Sequence, residues 1–244
     1  MKPAQKMKKP ERRIRRGMVR RAEGSLAGYS DKIDVRRIRE EIEKELKARN
    51  IEIVYGALEK KPVKEAFIKI EPTDLKRNLV DYRRIYANLK HFLGSLKGKR
   101  IVHIGSGPSI FTPFLEKKDK ANAHSLDTNK YFLKGSKRIS GTKGIAAEAE
   151  KTPFKDNSID AIASDHFLFS AYASIEDEKV LQEAGRILKK GGIIVIERAI
   201  MGEAQKLMAE KNGFEIIEAI GKNEKIEPAG RHEIATKIYV LRKK

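Results

Sequence analysis

Cysteine is missing altogether from the 244 residues, which removes disulfide staples and thiolate chemistry from any account of the chain. A chain without cysteine fits the cytoplasm, which is the expected location. No run approaches the roughly 18 to 20 apolar residues that cross a bilayer. The N-terminus carries charge where a signal peptide needs an apolar stretch, so membrane insertion is not expected. His91, His103, His124, His166 and His232 lack paired spacing with other ligand types, and no metal is expected.

Acidic residues are scarce at one end. Residues 1–22 hold ten Lys or Arg and only Glu11. Such a block repels itself and has no core-forming pattern, so residues 1–32 are expected to be a flexible basic arm and linker. Across the chain, 53 basic residues face 34 acidic ones, a net charge of +19. The simplest partner for the arm is RNA, because neutralised phosphates release counterions. A solvated tail without a dedicated partner is the competing reading, and a protein partner is a further candidate.

Residues 33–97 are expected to form a small α/β lead-in that covers the next domain. It has a helix after Asp34, strands at 51–58 and 66–70, and a helix starting near Thr73. Leu75, Leu79, Tyr82, Ile85, Leu89 and Leu93 follow at helical spacing. Tyr82 and Tyr86 are candidates either for a lid or for packing. From Arg100 the rhythm changes to short apolar runs alternating with helical patterns, as in a parallel sheet with crossover helices. Strands are expected at 100–104, 121–126, 143–147, 160–164, 192–197, 213–219 and 234–241, the last antiparallel to its predecessor. Helices are expected at 109–118, 129–136, 175–189 and 201–211, with Gly191 as a left-handed helix cap. The fold class is therefore α/β, a Rossmann-like, mostly parallel seven-stranded sheet over residues 98–244.

Gly105-Ser106-Gly107 follow the first strand, where small residues let the backbone bend and approach a ligand. The third glycine of a dinucleotide fingerprint is missing, and no Walker lysine follows. Asp127, twenty residues on, stands at the next strand end, where a carboxylate can accept from ribose hydroxyls. Glu148 ends the third strand and, with the backbone of Ala149, could meet an adenine edge. After the fourth strand, Ser164-Asp165-His166-Phe167 should face the mouth of the site. His166 has the pKa range of a general base, Asp165 is a candidate contact, and Phe167 could stack on a planar substrate.

In combination these segments resemble the class I S-adenosylmethionine-dependent methyltransferases of the methyltransferase-11 type. The glycine motif is matched by His103-Ile104-Gly105-Ser106-Gly107-Pro108-Ser109, and the ribose-binding acid falls on Asp127. The adenine-side pattern DAEKLPFPDNSFD is matched by Glu148 to Asp160, and the late E-x-x-R-x-L-K-P-G-G motif by Glu183 to Gly192. The resemblance covers about residues 80–241 and implies S-adenosyl-L-methionine as cofactor. It implies a cofactor site of His103, Gly105, Ser106, Gly107, Asp127, Glu148, Ala149 and Ser164, with His166 and Asp165 as the catalytic candidates.

The sequence departs from the pattern in three places. His103 stands where the family has an acid, Ser109 replaces the third glycine, and Lys190 replaces a proline. The expected activity is methyl transfer to RNA or an RNA-associated protein. The alternatives are a small-molecule or lipid acceptor, or a non-catalytic module on the same scaffold. No Asn-Pro-Pro-Tyr motif points to base-amine methylation, and the lack of cysteine excludes covalent cytosine C5 chemistry.

Overall fold

A computed structural model describes residues 72–107, 109–130, 132–134, 137, 141, 143–169, 176–217, 219 and 237–244. The basic arm, the helix expected after Asp34 and the strands expected at 51–58 and 66–70 lie outside them, as do residues 131, 135 and 136 of the helix expected at 129–136. Seven strands form one sheet: β1 (Arg100–Ile104), β2 (Asn122–Asp127), β3 (Gly144–Ala146), β4 (Ile159–Asp165), β5 (Leu188–Ala199), β6 (Phe214–Ile217) and β7 (Lys237–Lys243). Four helices are α1 (Pro72–Leu93), α2 (Phe111–Asp119), α3 (Asp177–Ile187) and α4 (Glu203–Lys211), and residues 130, 132–134 and 137 are helical as well. The strand order is β3-β2-β1-β4-β5-β7-β6. β1 to β5 run parallel, and β7 is antiparallel to both β5 and β6. The expected antiparallel last strand is therefore present, inserted between its two partners.

The central strands read as continuous apolar runs because both faces of the sheet are covered. Ile101, Ala161, Ala163, Ile193 and Val195 pack on one side with Tyr82, Ile85 and Leu89 of α1 and with Phe111 and Phe114 of α2. Val102, Ile162, Ile194 and Ile196 pack on the other with Val180, Leu181 and Ala184 of α3. Helix α1 thus shares a core with the sheet. Tyr82 stacks on Phe111 at 5.1 Å between centroids, and Tyr86 meets Phe114 edge-on at 5.2 Å. Of the two roles open to these tyrosines, the structure shows packing.

Two expectations near the late motif need correction. Helix α3 ends at Ile187, and Gly191 is not its cap: Leu188, in extended conformation, occupies that position. Leu188 pairs with Ile159 and Ile193 with Ala161, so residues 189–192 bulge from the β4–β5 ladder. Gly191 turns that bulge at φ 74°, a conformation that favours glycine. The bulge lets Lys189 reach Asp160 at 2.9 Å, beside the Arg100 N–H that donates to the same carboxylate at 2.9 Å.

Candidate active site

The strand order reverses between β1 and β4, the switch point at which open α/β sheets bind ligands beyond their carboxyl ends. The sequence-expected residues gather along this edge. Gly105 and Gly107 take φ of 58° and 51°, which turns the chain out of β1. They differ in what surrounds them. A Cβ on Gly105 would lie 2.4 Å from Phe167 Cγ, so the glycine is needed for Phe167 to pack there. A Cβ on Gly107 would meet nothing within 4 Å, so that side of the turn is open to a ligand.

Asp127 closes β2. Its Oδ2 accepts from the Gly107 N–H at 2.8 Å, and its Oδ1 from the Asn129 N–H at 2.8 Å. A carboxylate has about four acceptor positions, so both oxygens are oriented and still able to receive ligand hydroxyls. Ser106 is buried, and its N–H donates to Leu126 O at 3.1 Å, tying the turn to β2. Glu148 is exposed and lies two residues past the end of β3, bridged to Lys151, rather than at the strand end itself. Ala149 is buried beside it. Ser164 is fully buried, and its Oγ accepts from the Leu168 N–H at 3.0 Å, shaping the turn after β4.

His103 occupies an unexpected environment. Its side chain leaves the sheet on the α1 side and meets Tyr82 and Phe111 edge-on, each at 5.7 Å between centroids. Nδ1 lies 3.2 Å from Ser109 Oγ, which also accepts the Phe111 N–H at 3.0 Å, so the ring braces the glycine turn from beneath. Burial pushes the imidazole down to about 3, so it is neutral near pH 7 and does not reproduce an acid's charge.

The late motif and the adenine-side segment prove to be one device. Glu183 Oε1 accepts from the Thr152 N–H at 2.7 Å and from Thr152 Oγ1 at 2.6 Å. Arg186 grips both oxygens of Glu183 through Nε at 2.8 Å and Nη2 at 2.7 Å. The same guanidinium donates to Phe154 O at 2.9 Å and pairs with Asp156. Helix α3 therefore clamps the segment that follows Glu148. Thr152 and Glu183 are 31 residues apart in sequence, and spacing alone does not join them.

Beyond β4 and β5 lies a buried charged cluster that the sequence reading found only in part. Asp165, His166 and Glu197 come from the two strand ends, Asp81 and Arg84 from α1, and Arg198 from β5. Arg84 Nη1 donates to Glu197 Oε1 at 2.7 Å, and Arg198 Nε to Asp81 Oδ2 at 2.7 Å. His166 Nε2 stands 3.6 Å from Asp81 Oδ2 and 3.7 Å from Asp165 Oδ1. Asp81, Arg84 and Glu197 were missed because a charged residue inside an amphipathic helix or at a strand end looks solvated in sequence. His166, Phe169 and Arg198 all have φ between 54° and 57°, which costs on the order of 1–3 kcal/mol each and concentrates at functional sites.

The edge of the sheet offers an open glycine after β1, a carboxylate oriented at the end of β2 and a clamped segment after β3. Comparisons with known proteins give one family match and several similar structures. Residues 102–196 match the family model described as a methyltransferase domain. A methyltransferase from Methanosarcina mazei described as S-adenosylmethionine-dependent has the same fold, at TM-score 0.52 and 14% identity, over 63% of this chain and 96% of that one. The [4+2]-cyclase SpnF is similar at TM-score 0.49 and 18% identity, over 58% of this chain and 59% of SpnF. Phosphoethanolamine N-methyltransferase 2 of Haemonchus contortus is similar at TM-score 0.44 and 20% identity, over 54% of this chain and 37% of that one. The chain thus spans less than two thirds of the last two. No curated protein matches it. The sheet order and switch-point turn are those of a Rossmann-like fold, and residues 102–196 within it match the methyltransferase-domain family model.

Proposed function

We propose that the chain transfers a methyl group from S-adenosylmethionine to a small-molecule acceptor, with residues 98–244 as the catalytic domain. The observation that carries this reading is the way α1 crosses the ends of β4 and β5. Two buried ion pairs, Arg84–Glu197 and Arg198–Asp81, fasten the helix over the acceptor side. The Asp165 side chain is left 7% exposed and that of His166 34% exposed, which suits a compact ligand better than a folded polymer. RNA as acceptor rests on the basic arm, outside the described residues.

In this reading Gly105, Ser106 and Gly107 shape the turn around the cofactor, braced by His103 from beneath. Asp127 accepts from the ribose hydroxyls, and Glu148 with the backbone of Ala149 meets the adenine edge. Ser164 holds the β4 turn. The bound cofactor supplies an electrophilic methyl group, so the protein's task is to align the acceptor, exclude water and move a proton where the acceptor must lose one. His166, with Asp165 and Asp81 near its Nε2, receives that proton.

The acceptor class is tested with cofactor labelled in its methyl group, offered with either the small-molecule or the RNA fraction of cells. Label is expected in the small-molecule fraction, reduced at least about tenfold by His166→Ala, a loss within the range of general-base contributions. Label confined to RNA would overturn the reading.

A further inference from the structure

We infer that the acceptor side of the site receives a ligand bearing a protonated amine, seated against Glu197. This rests on the small-molecule methyltransferase reading and narrows its acceptor to amines.

Glu197 lies in register with Asp165 on the neighbouring strand. Alternation along β5 turns it, like Ile193 and Val195, toward α1. The residue is 1% exposed. Its Oε1 is held by Arg84, while Oε2 is buried without a hydrogen-bond partner. Leaving such an oxygen unsatisfied costs about 1–3 kcal/mol, more for a charged group, so the position calls for a donor that the folded chain does not supply. His166 Nε2 is a second buried atom without a hydrogen-bond partner at the same strand ends. The groups facing this region are Asp81 and Arg84 from α1, Asp165 and His166 from β4 and its turn, and Arg198 from β5.

Three carboxyl groups face two guanidiniums that each already serve one of them, so the cluster does not favour an anion. An alcohol has one hydrogen to donate, whereas an ammonium has up to three and carries the complementary charge. A divalent cation is the competitor, because Asp81, Asp165 and His166 each bring a ligand atom within 4.8 Å of the others. Arg198, however, already donates to the same Asp81 oxygen that faces His166, and a doubly charged ion there would crowd a guanidinium.

Proton balance fits an amine. Burial pushes the Glu197 carboxyl up to about 7, against the pull of Arg84, so the group is partly protonated near neutrality. An arriving ammonium favours the carboxylate and expels that proton. His166 then takes a proton from the ammonium: one N–H bond breaks, its electron pair stays on the ligand nitrogen, and an N–H bond forms on the imidazole, while Glu197 stays ionised. The freed lone pair can form the N–C bond as the cofactor's C–S bond breaks and its pair stays on sulfur.

The test is calorimetry on the full chain, with and without S-adenosylhomocysteine, using butylamine and putrescine against butanol and butane-1,4-diol. Amines are expected to bind at least about tenfold more tightly than the matched alcohols, a difference of about 1.4 kcal/mol. Titrations in buffers of different ionisation enthalpy should show proton release on amine binding, larger at pH 6 than at pH 8. Glu197→Gln should lose both the amine preference and the proton release while still binding S-adenosylhomocysteine. The wild-type proton release remains decisive if that variant does not fold. Amines binding no better than alcohols, or without proton release, would overturn the inference, as would Mn²⁺ binding in their place that His166→Ala abolishes. Failure to bind S-adenosylhomocysteine would instead sink the methyltransferase reading.

Discussion

Gly105→Ala is expected to destabilise the protein by about 2–4 kcal/mol, from left-handed backbone strain together with overpacking. The backbone at φ 58° disfavours any side chain, and the new Cβ would stand 2.4 Å from Phe167 Cγ and 2.7 Å from its Cβ. Those atoms sit near the backbone and cannot swing aside as the tip of a long side chain could. Gly107→Ala provides the contrast. Its φ is 51°, yet nothing lies within 4 Å of the added methyl, so only the backbone term of about 1–2 kcal/mol remains. Denaturant unfolding of both single variants, with Phe167→Ala and the Gly105→Ala/Phe167→Ala double, separates the terms. A coupling of at least about 1 kcal/mol between positions 105 and 167 is expected. Equal costs at the two glycines, or no coupling, would show that Phe167 does not require the first glycine.

Removing the α3 clamp should cost about as much. Glu183→Ala deletes the acceptor of four hydrogen bonds, two from Thr152 and two from Arg186. It leaves the buried Thr152 N–H without its acceptor, while Arg186 keeps Phe154 O and Asp156, and the loss of these charge-assisted bonds costs about 2–4 kcal/mol. Burial works to raise the Glu183 carboxyl, but its bonds to Arg186 and Thr152 prevail and hold it below the usual value. The sign follows for pH: the stabilisation is complete above the unfolded carboxyl's range and fades as pH falls through the depressed folded value. The gap between wild type and Glu183→Ala should therefore shrink in acid. The clamp grips the segment after Glu148, so the variant should also lose at least about tenfold in S-adenosylhomocysteine affinity, roughly 1.4 kcal/mol. A variant as stable as wild type at neutral pH would remove the clamp from the account.

Much of this domain was legible in the sequence because its signals are local. The apolar run 100–104 before two glycines set β1 and its turn, and Asp127 sits at the end of β2 as its spacing implies. The alternation of strands and helices gave a parallel sheet, and the loop before β7 gave the antiparallel ending. The misses have physical causes. Gly191-Gly192 read as a helix stop, since a bulge and a helix cap both call for a left-handed glycine. Alternation along β1 carries the His103 ring into the aromatic layer of α1 and α2, a placement that its position before the glycines does not reveal. The cluster around Glu197 was hidden because its members are as much as 117 residues apart, as Arg198 and Asp81 are, and no local pattern predicts such pairings.

The most direct test of the account is a calorimetric titration of S-adenosylmethionine and S-adenosylhomocysteine into the wild-type protein and Asp127→Ala. The account predicts saturable wild-type binding of both compounds. It also predicts a loss of at least about a hundredfold in the variant, the roughly 2.7 kcal/mol carried by two hydrogen bonds to a charged acceptor. Folded, cofactor-free wild type that binds neither compound, or Asp127→Ala that binds both as tightly as wild type, would contradict it.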